Sequence, residues 1–269
     1  VVFFRNKSRF FVDSDFKAFD ESLAQSEDDR VIAARQYVVD NRFKVLHFDH
    51  QSGNGLKDFF QTNKLYPHWQ LQHLTNVYWP YPAANGGWVD YLRMGYGKER
   101  SLVQDLARRA GVFKEITNLG ERDALAFYCV TQLQIGLNSD YWWINLYIDK
   151  KGWIEQYNLI EKIKDLHLES EFYQLLDSIA EEGYEFYIYP YPYEDSLIFT
   201  DGRDFVKMMR EFKNLKKSCS ISIEKTHEPN DINNNHNILN YLKGEFAKLL
   251  PLYNFISWHP KKNHYLIGL

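Results

Sequence analysis

Cys129 and Cys219 are the only two cysteines in 269 residues. So few exclude a disulfide framework and a cysteine-based zinc site, and they fit a reducing compartment. Long apolar runs are missing too: none approaches the ~20 residues of a membrane span. The opening VVFFRNKSRFF lacks the charged lead, apolar stretch and cleavage site of a secretory signal. The expectation is a soluble, cytoplasmic chain with no membrane partner. Neither nucleotide fingerprint occurs, neither G-x-x-x-x-G-K-[ST] nor G-x-G-x-x-G, and there is no G-x-S-x-G elbow. Positive charge is not in excess either. The formal net charge is -4, so a nucleic-acid partner would need a local basic patch.

Rings are what the chain has in abundance. Phe, Tyr and Trp make up 17% of it, which argues against disorder. The stretch NVYWPYPAANGGWVDYLRMGYG (Asn76–Gly97) reads as two strands joined across a Pro/Gly-rich hinge. In the second, Trp88, Asp90, Leu92 and Met94 alternate with Val89, Tyr91, Arg93 and Gly95. Both faces mix apolar and polar groups, so both touch something. Trp79, Tyr81, Trp88 and Tyr91 would line a ledge for a flat ligand, with Arg93, Lys98 and Arg100 beside it for an anion.

The second half is the more legible. YWWINLYID reads as a buried strand and GWIEQYNLIEKIKDL as a helix. A further helix carries Phe172, Leu175, Leu176 and Ile179 on one stripe and stops at Gly183. YEFYIYP and SLIFT are strands, GRDFVKMMREFKNL a helix, SCSISIEKT a half-buried strand, and a last helix stops near Pro251. The order β-α-β-β-α-β-α is that of a split βαβ, or ferredoxin-like, layer. The fold class expected is α+β, with mixed or antiparallel sheets and helices packed on them.

The first half predicts a strand at RFFVD, a helix capped by Ser14, a helix from Asp29 to Val39 and a strand at RFKVLHFD. A short helix at GLKDFF and another at ERSLVQDLARRAG follow, while ERDALAFYCVTQLQ fits helix or strand. The break IGLNSD divides residues 1–138, an α/β half with the aromatic hairpin, from residues 139–269, an α+β half. The alternative is one continuous domain with a turn there.

The most chemical segment is VLHFDHQSGNGLKDFF. His47, Asp49 and His50 could bind a divalent metal or exchange protons, and Gly53 and Gly55 precede a helix start that attracts anions. Glu224 and Lys225 do not make a nuclease core, because adjacent strand residues face opposite ways. Lys207, Arg210, Lys213 and Lys217 form a basic helix face, and Cys219 packs as a small apolar residue.

Three functions follow. The first is binding of a nucleotide, a nucleic-acid end or another flat anionic ligand on the aromatic and basic surface. The second is a metal-assisted hydrolase of phosphate or related esters using His47, Asp49 and His50, with a divalent metal as cofactor. The third is a structural or interaction module whose rings form core or a homo-oligomer interface.

Overall fold

A computed structural model describes residues 9–48, 55–67, 89–111, 127–191, 195–214 and 218–259. Helices α1 (Asp13–Lys17), α2 (Asp29–Val38), α3 (Lys44–Phe48) and α4 (Leu56–Thr62) precede strands β1 (Tyr66–Pro67) and β2 (Tyr91–Gly97). Helix α5 (Arg100–Arg109), strands β3 (Gln132–Asn138) and β4 (Trp142–Ile148), and helices α6 (Trp153–Lys162) and α7 (Leu166–Glu181) follow. Then come β5 (Glu185–Tyr191), β6 (Leu197–Phe199), α8 (Gly202–Asn214), β7 (Ser218–His227) and α9 (Ile238–Ile256). Among the described residues the strands form one seven-stranded sheet in the order β1-β2-β3-β4-β7-β5-β6. β5 is antiparallel to both of its neighbours. The fold is α+β, an antiparallel sheet with helices packed on it. None of the described helices is long and apolar enough to cross a membrane.

Local chemistry explains most elements. The Asp165 carboxylate accepts from the backbone N–H groups of His167 and Leu168 and so starts α7. Gly183, at φ 85°, ends it in the left-handed conformation that glycine adopts freely. In α8, Phe205, Val206, Met209 and Phe212 are buried while Lys207 and Glu211 face solvent. The β3–β4 hairpin closes through Asn138, whose side-chain oxygen accepts from the N–H groups of Asp140 and Tyr141.

Three expectations fail. The stretch predicted as a strand is helical through Phe48: a wide turn at Val39–Phe43 runs into α3, with Val38, Val39, Phe43 and Leu46 buried. Its aromatic and β-branched content suggests a strand, but the tertiary burial pattern decides. RFFVD forms no strand. It leads into α1, whose entry is held by Asp15 accepting from the Val12 N–H at 2.9 Å, and Ser14 does not cap it. α9 also runs through Pro251 to Ile256. Proline removes one helical donor there, but Leu249, Leu252, Tyr253, Phe255 and Ile256 are buried on either side and hold the helix. The ambiguous stretch resolves as a short helical turn, Phe127–Cys129, followed by β3.

The chain forms two compact units. The first comprises Val1–Gly95, Ile135–Ile144 and Thr226–Glu245. Its buried Arg35 donates to the carbonyls of Ala18 and Leu23, tying α2 to the turn before it. Phe11 packs among Phe16, Phe43 and Trp142. The Asn234 side chain accepts from the Phe11 N–H at 2.7 Å and donates to the Phe11 carbonyl at 2.8 Å. His227 sits between Asp231 (2.9 Å) and the Tyr241 hydroxyl (3.1 Å), stacked on Trp142 at 4.1 Å.

The second unit comprises Tyr96–Gln134, Asn145–Lys225 and Phe246–Leu269. One of its cores gathers Val103, Leu106, Cys129, Val130, Ile154 and Trp258. Phe172 stacks on Phe255, and Phe186 on Phe205. Beside these lies a fully buried carboxylate, Glu155, in the first turn of α6. It accepts from the Lys98 ammonium, from the Thr131 N–H and hydroxyl, and from the Trp258 N–H at 2.8 Å.

Removing one member of a buried ion pair leaves the other charge uncompensated, which costs ~3–5 kcal/mol. Glu155→Ala should therefore destabilise the protein by about that much in urea unfolding. The neutral pair Lys98→Met, Glu155→Gln leaves no buried charge and keeps one acceptor oxygen, for either the Thr131 donors or the Trp258 N–H. It should unfold at higher urea than Glu155→Gln alone.

Candidate functional site

The residues singled out in the sequence scatter. His47 lies on α3, 2% exposed, with its ring edge-on to Phe48. Burial, with Lys57 nearby, lowers its pKa to about 4, so the imidazole is neutral near pH 7. Gly55 precedes α4, and a Cβ there would come within 2.2 Å of the His47 carbonyl oxygen. Its glycine serves close backbone packing. Tyr91 and Arg93 are half-buried on β2, with the guanidinium 5.5 Å from the tyrosine ring centroid. Lys98 is inside the second unit on Glu155, where burial lowers its pKa and the carboxylate opposes that shift. Arg100 is exposed at the first position of α5. Asp49, His50, Gly53, Trp79, Tyr81 and Trp88 lie outside the described residues. Among the described residues, no group of three His, Cys, Asp or Glu side chains is placed to hold a metal. On the basic face of α8, Arg210 pairs with Glu169 and Lys213 with Glu161, while Lys207 stays exposed.

A different set converges in the second unit, on one face of β5 and β7. Strand alternation sends Phe186, Ile188, Cys219, Ile221 and Ile223 into the core. Glu185, Tyr187, Tyr189 and Tyr191 therefore share the other face of β5. The register sets them beside Glu224, Ser222, Ser220 and Ser218 of β7, in that order. Side-chain size steps down from the large rings of β5 to the small hydroxyls of β7, and this step is the trough. The Tyr187 and Tyr189 rings lie parallel, 5.9 Å apart. Lys150, which follows β4, sets its ammonium 3.2 Å from the Tyr191 ring centroid, and its N–H donates to the Ser220 hydroxyl.

Burial deepens along this trough. Tyr191 is 46% exposed and Tyr189 36%, and Ser218 is also exposed, whereas Ser222 is buried and Glu224 is 8% exposed. At the deep end the Asn145 amide donates to the Ser222 hydroxyl (2.9 Å) and to Glu224 (3.1 Å). The Ser222 hydroxyl donates to the same carboxylate oxygen at 3.0 Å. The Asn145 side-chain oxygen, itself buried, accepts from none of the described residues. Further along, Gln132 donates to the Phe127 carbonyl and Gln134 donates to Gln132, which leaves the buried Gln134 oxygen with no donor. The amide donors of this row are taken up by protein acceptors, and its unfilled atoms are acceptors. Burial raises the Glu224 pKa. The Ser222 and Asn145 hydrogen bonds oppose that rise, and Glu185, directly across on β5, adds to it.

The opposite, helix-covered face holds a small cavity, about 20 Å³, lined in part by Gln156, Met209, Phe212 and Cys219. That is room for about one water. Burial pushes the Cys219 thiol, and the Cys129 thiol, up to about 12. The sequence pattern that could have pointed to the trough is Y-x-Y-x-Y facing S-x-S-x-S-x-E. Each half is visible alone, but their register is not. No protein-family model matches the chain, and no curated protein matches it in sequence.

A carboxyl whose pKa is raised on folding holds its proton more tightly in the native state. That contribution is complete below the unfolded value near 4.3 and is lost as pH rises through the folded value. Glu224→Gln keeps the neutral form at every pH. Its melting midpoint should exceed the parent's at pH 8 and converge with it near pH 4; an equal offset at both pH values would contradict this. Thiolate is the reactive form of cysteine. Neither Cys129 nor Cys219 should react with a disulfide reagent in the native protein at pH 8, and both should react in denaturant.

Proposed function

We propose that this protein binds a flat, ring-bearing ligand along the trough between β5 and β7. The observation that carries this reading is the register of Tyr187, Tyr189 and Tyr191 against Ser222, Ser220 and Ser218, with burial increasing toward Glu224. Tyrosine faces offer stacking worth ~1–3 kcal/mol per ring, and every planar base or aromatic ring can use them. Serines beside them leave space and supply hydroxyls that both donate and accept. The reading keeps the ligand class expected from the ring-rich composition, a nucleotide or similar planar group, and sets it on a different surface from the Trp79–Trp88 hairpin.

The scaffold fits a split βαβ layer. β7 lies between β4 and β5, the two strands joined through α6 and α7. β5 in turn lies between β6 and β7, the two joined through α8. Such interleaving gives a sheet with helices on one side and a face left for recognition.

Tyr189→Ala tests the proposal directly. Titration with adenosine 5′-monophosphate, followed by the tyrosine ring resonances and by calorimetry, should show affinity falling by ~1–3 kcal/mol in the variant. Stability should stay within ~0.5 kcal/mol, because the side chain is partly exposed. A variant that loses stability but keeps affinity would return Tyr189 to a packing role.

A further inference from the structure

The two ends of the trough differ in chemistry, and from that difference we infer that its ligand is a nucleoside monophosphate whose base carries an exocyclic amino group. The amino group would lie at Glu224 and Asn145, and the phosphate beside Lys150. The inference rests on the stacking reading above and sharpens it.

The deep end asks for a donor. The buried Asn145 oxygen and the buried Gln134 oxygen accept no hydrogen bond from the described residues, and both side chains commit N–H groups to protein acceptors. The two belong to one face. A Cβ on Gly136 would meet the Trp143 ring, so β3 and β4 present those two positions to the same side. Gln134 and Asn145 each lie two residues further along their strands. A buried acceptor without a donor costs ~1–3 kcal/mol, and a ligand that supplies the donor recovers it. Glu224 accepts from Asn145 and Ser222 through one oxygen, and its other oxygen accepts from none of the described residues. An amino group next to a ring nitrogen, the edge that adenine and cytosine share, presents a donor beside an acceptor. A carboxyl presents the matching pair when it carries a proton, and burial shifts Glu224 in that direction. A carbonyl at the same place would set acceptor against acceptor.

The shallow end asks for an anion. The Lys150 ammonium lies over Tyr191, and its backbone N–H is fixed on Ser220. From Ser220 to Glu224 the strand advances four residues, ~13 Å at the usual rise, which suits one nucleotide lying lengthwise. Glu185, which accepts from the Tyr187 hydroxyl at 2.6 Å, adds negative charge beside Glu224. The anionic group therefore points away from the deep end.

The test is a calorimetric titration of the intact chain with adenosine 5′-monophosphate, inosine 5′-monophosphate and adenosine. The Asn and Gln side-chain amide resonances and the tyrosine ring resonances are followed in parallel. The expected result is tight binding of the adenosine monophosphate and at least about tenfold weaker binding of the inosine analogue, whose carbonyl replaces the amino group. Glu224→Ala, which removes both the donor and the acceptor, should narrow that gap, whereas Glu224→Gln, which keeps a donor beside an acceptor, should preserve it. Lys150→Ala, on a partly exposed turn that leaves the fold intact, should erase the difference between adenosine monophosphate and adenosine. Equal binding of the inosine analogue, with tyrosine shifts retained, would overturn the amino-group assignment and leave the stacking reading standing. If no nucleotide shifts any tyrosine resonance at millimolar concentration, the stacking reading falls and this inference falls with it.

Discussion

Glu155 receives hydrogen bonds from residues 98, 131 and 258, three points far apart in the chain, at a position with no exposure to solvent. A carboxylate in such a place is tolerated only when paired and fully hydrogen-bonded. The arrangement therefore forces the end of β2, the entry to β3, the first turn of α6 and the segment after α9 into one register in the second unit. Its place in the first helical turn adds the favourable end of the α6 dipole. Thr131 immediately precedes Gln132, so the same knot fixes where the amide row on β3 begins. Lys98 is committed to this role, which is why a lysine that reads in the sequence as part of a basic surface belongs to the interior.

Set against Glu155, the Asn145–Glu224 row is unusual. Glu155 has donors on both oxygens; the buried Glu224 shares its surroundings with two amide oxygens that have none among the described residues. Native interiors rarely leave such atoms unpaired, because each carries a desolvation penalty. Violations of that rule concentrate where a fold has been shaped for something other than its own stability. The row also lies beside tyrosines that become steadily more exposed along β5. Polar deficit and accessible rings on one face together set this surface apart from ordinary core.

Much of the fold is legible from residue pattern. The stripe of Phe172, Leu176 and Ile179, the stop at Gly183 and the alternation in SCSISIEKT each follow from local periodicity, and each is present. The failures share a cause. At RFKVLHFD and at Pro251, intrinsic preference points one way and burial of the surrounding side chains decides the other way. The site was less legible still. Y-x-Y-x-Y and S-x-S-x-S are unremarkable strands read separately, and their meaning depends on pairing between positions 27 to 35 residues apart. Asn145 and Gln134 carry no signal at all in the sequence, because an unfilled acceptor is a property of three-dimensional surroundings. Residues with chemical reputations, such as His47, draw the eye first, and the structure gives that imidazole a buried, neutral setting.

The clasp between Asn234 and Phe11 has a temporal side. The two residues are 223 positions apart, yet the Asn234 side chain satisfies both backbone groups of Phe11 in the first unit. On a ribosome adding ~5–20 residues per second, Phe11 emerges on the order of ten to forty seconds before its partner is made. Until then the amide and carbonyl of that buried aromatic must be met by water or by a chaperone. The helices around Phe11 can form early, but the unit to which they belong can close only after Asn234 has been made.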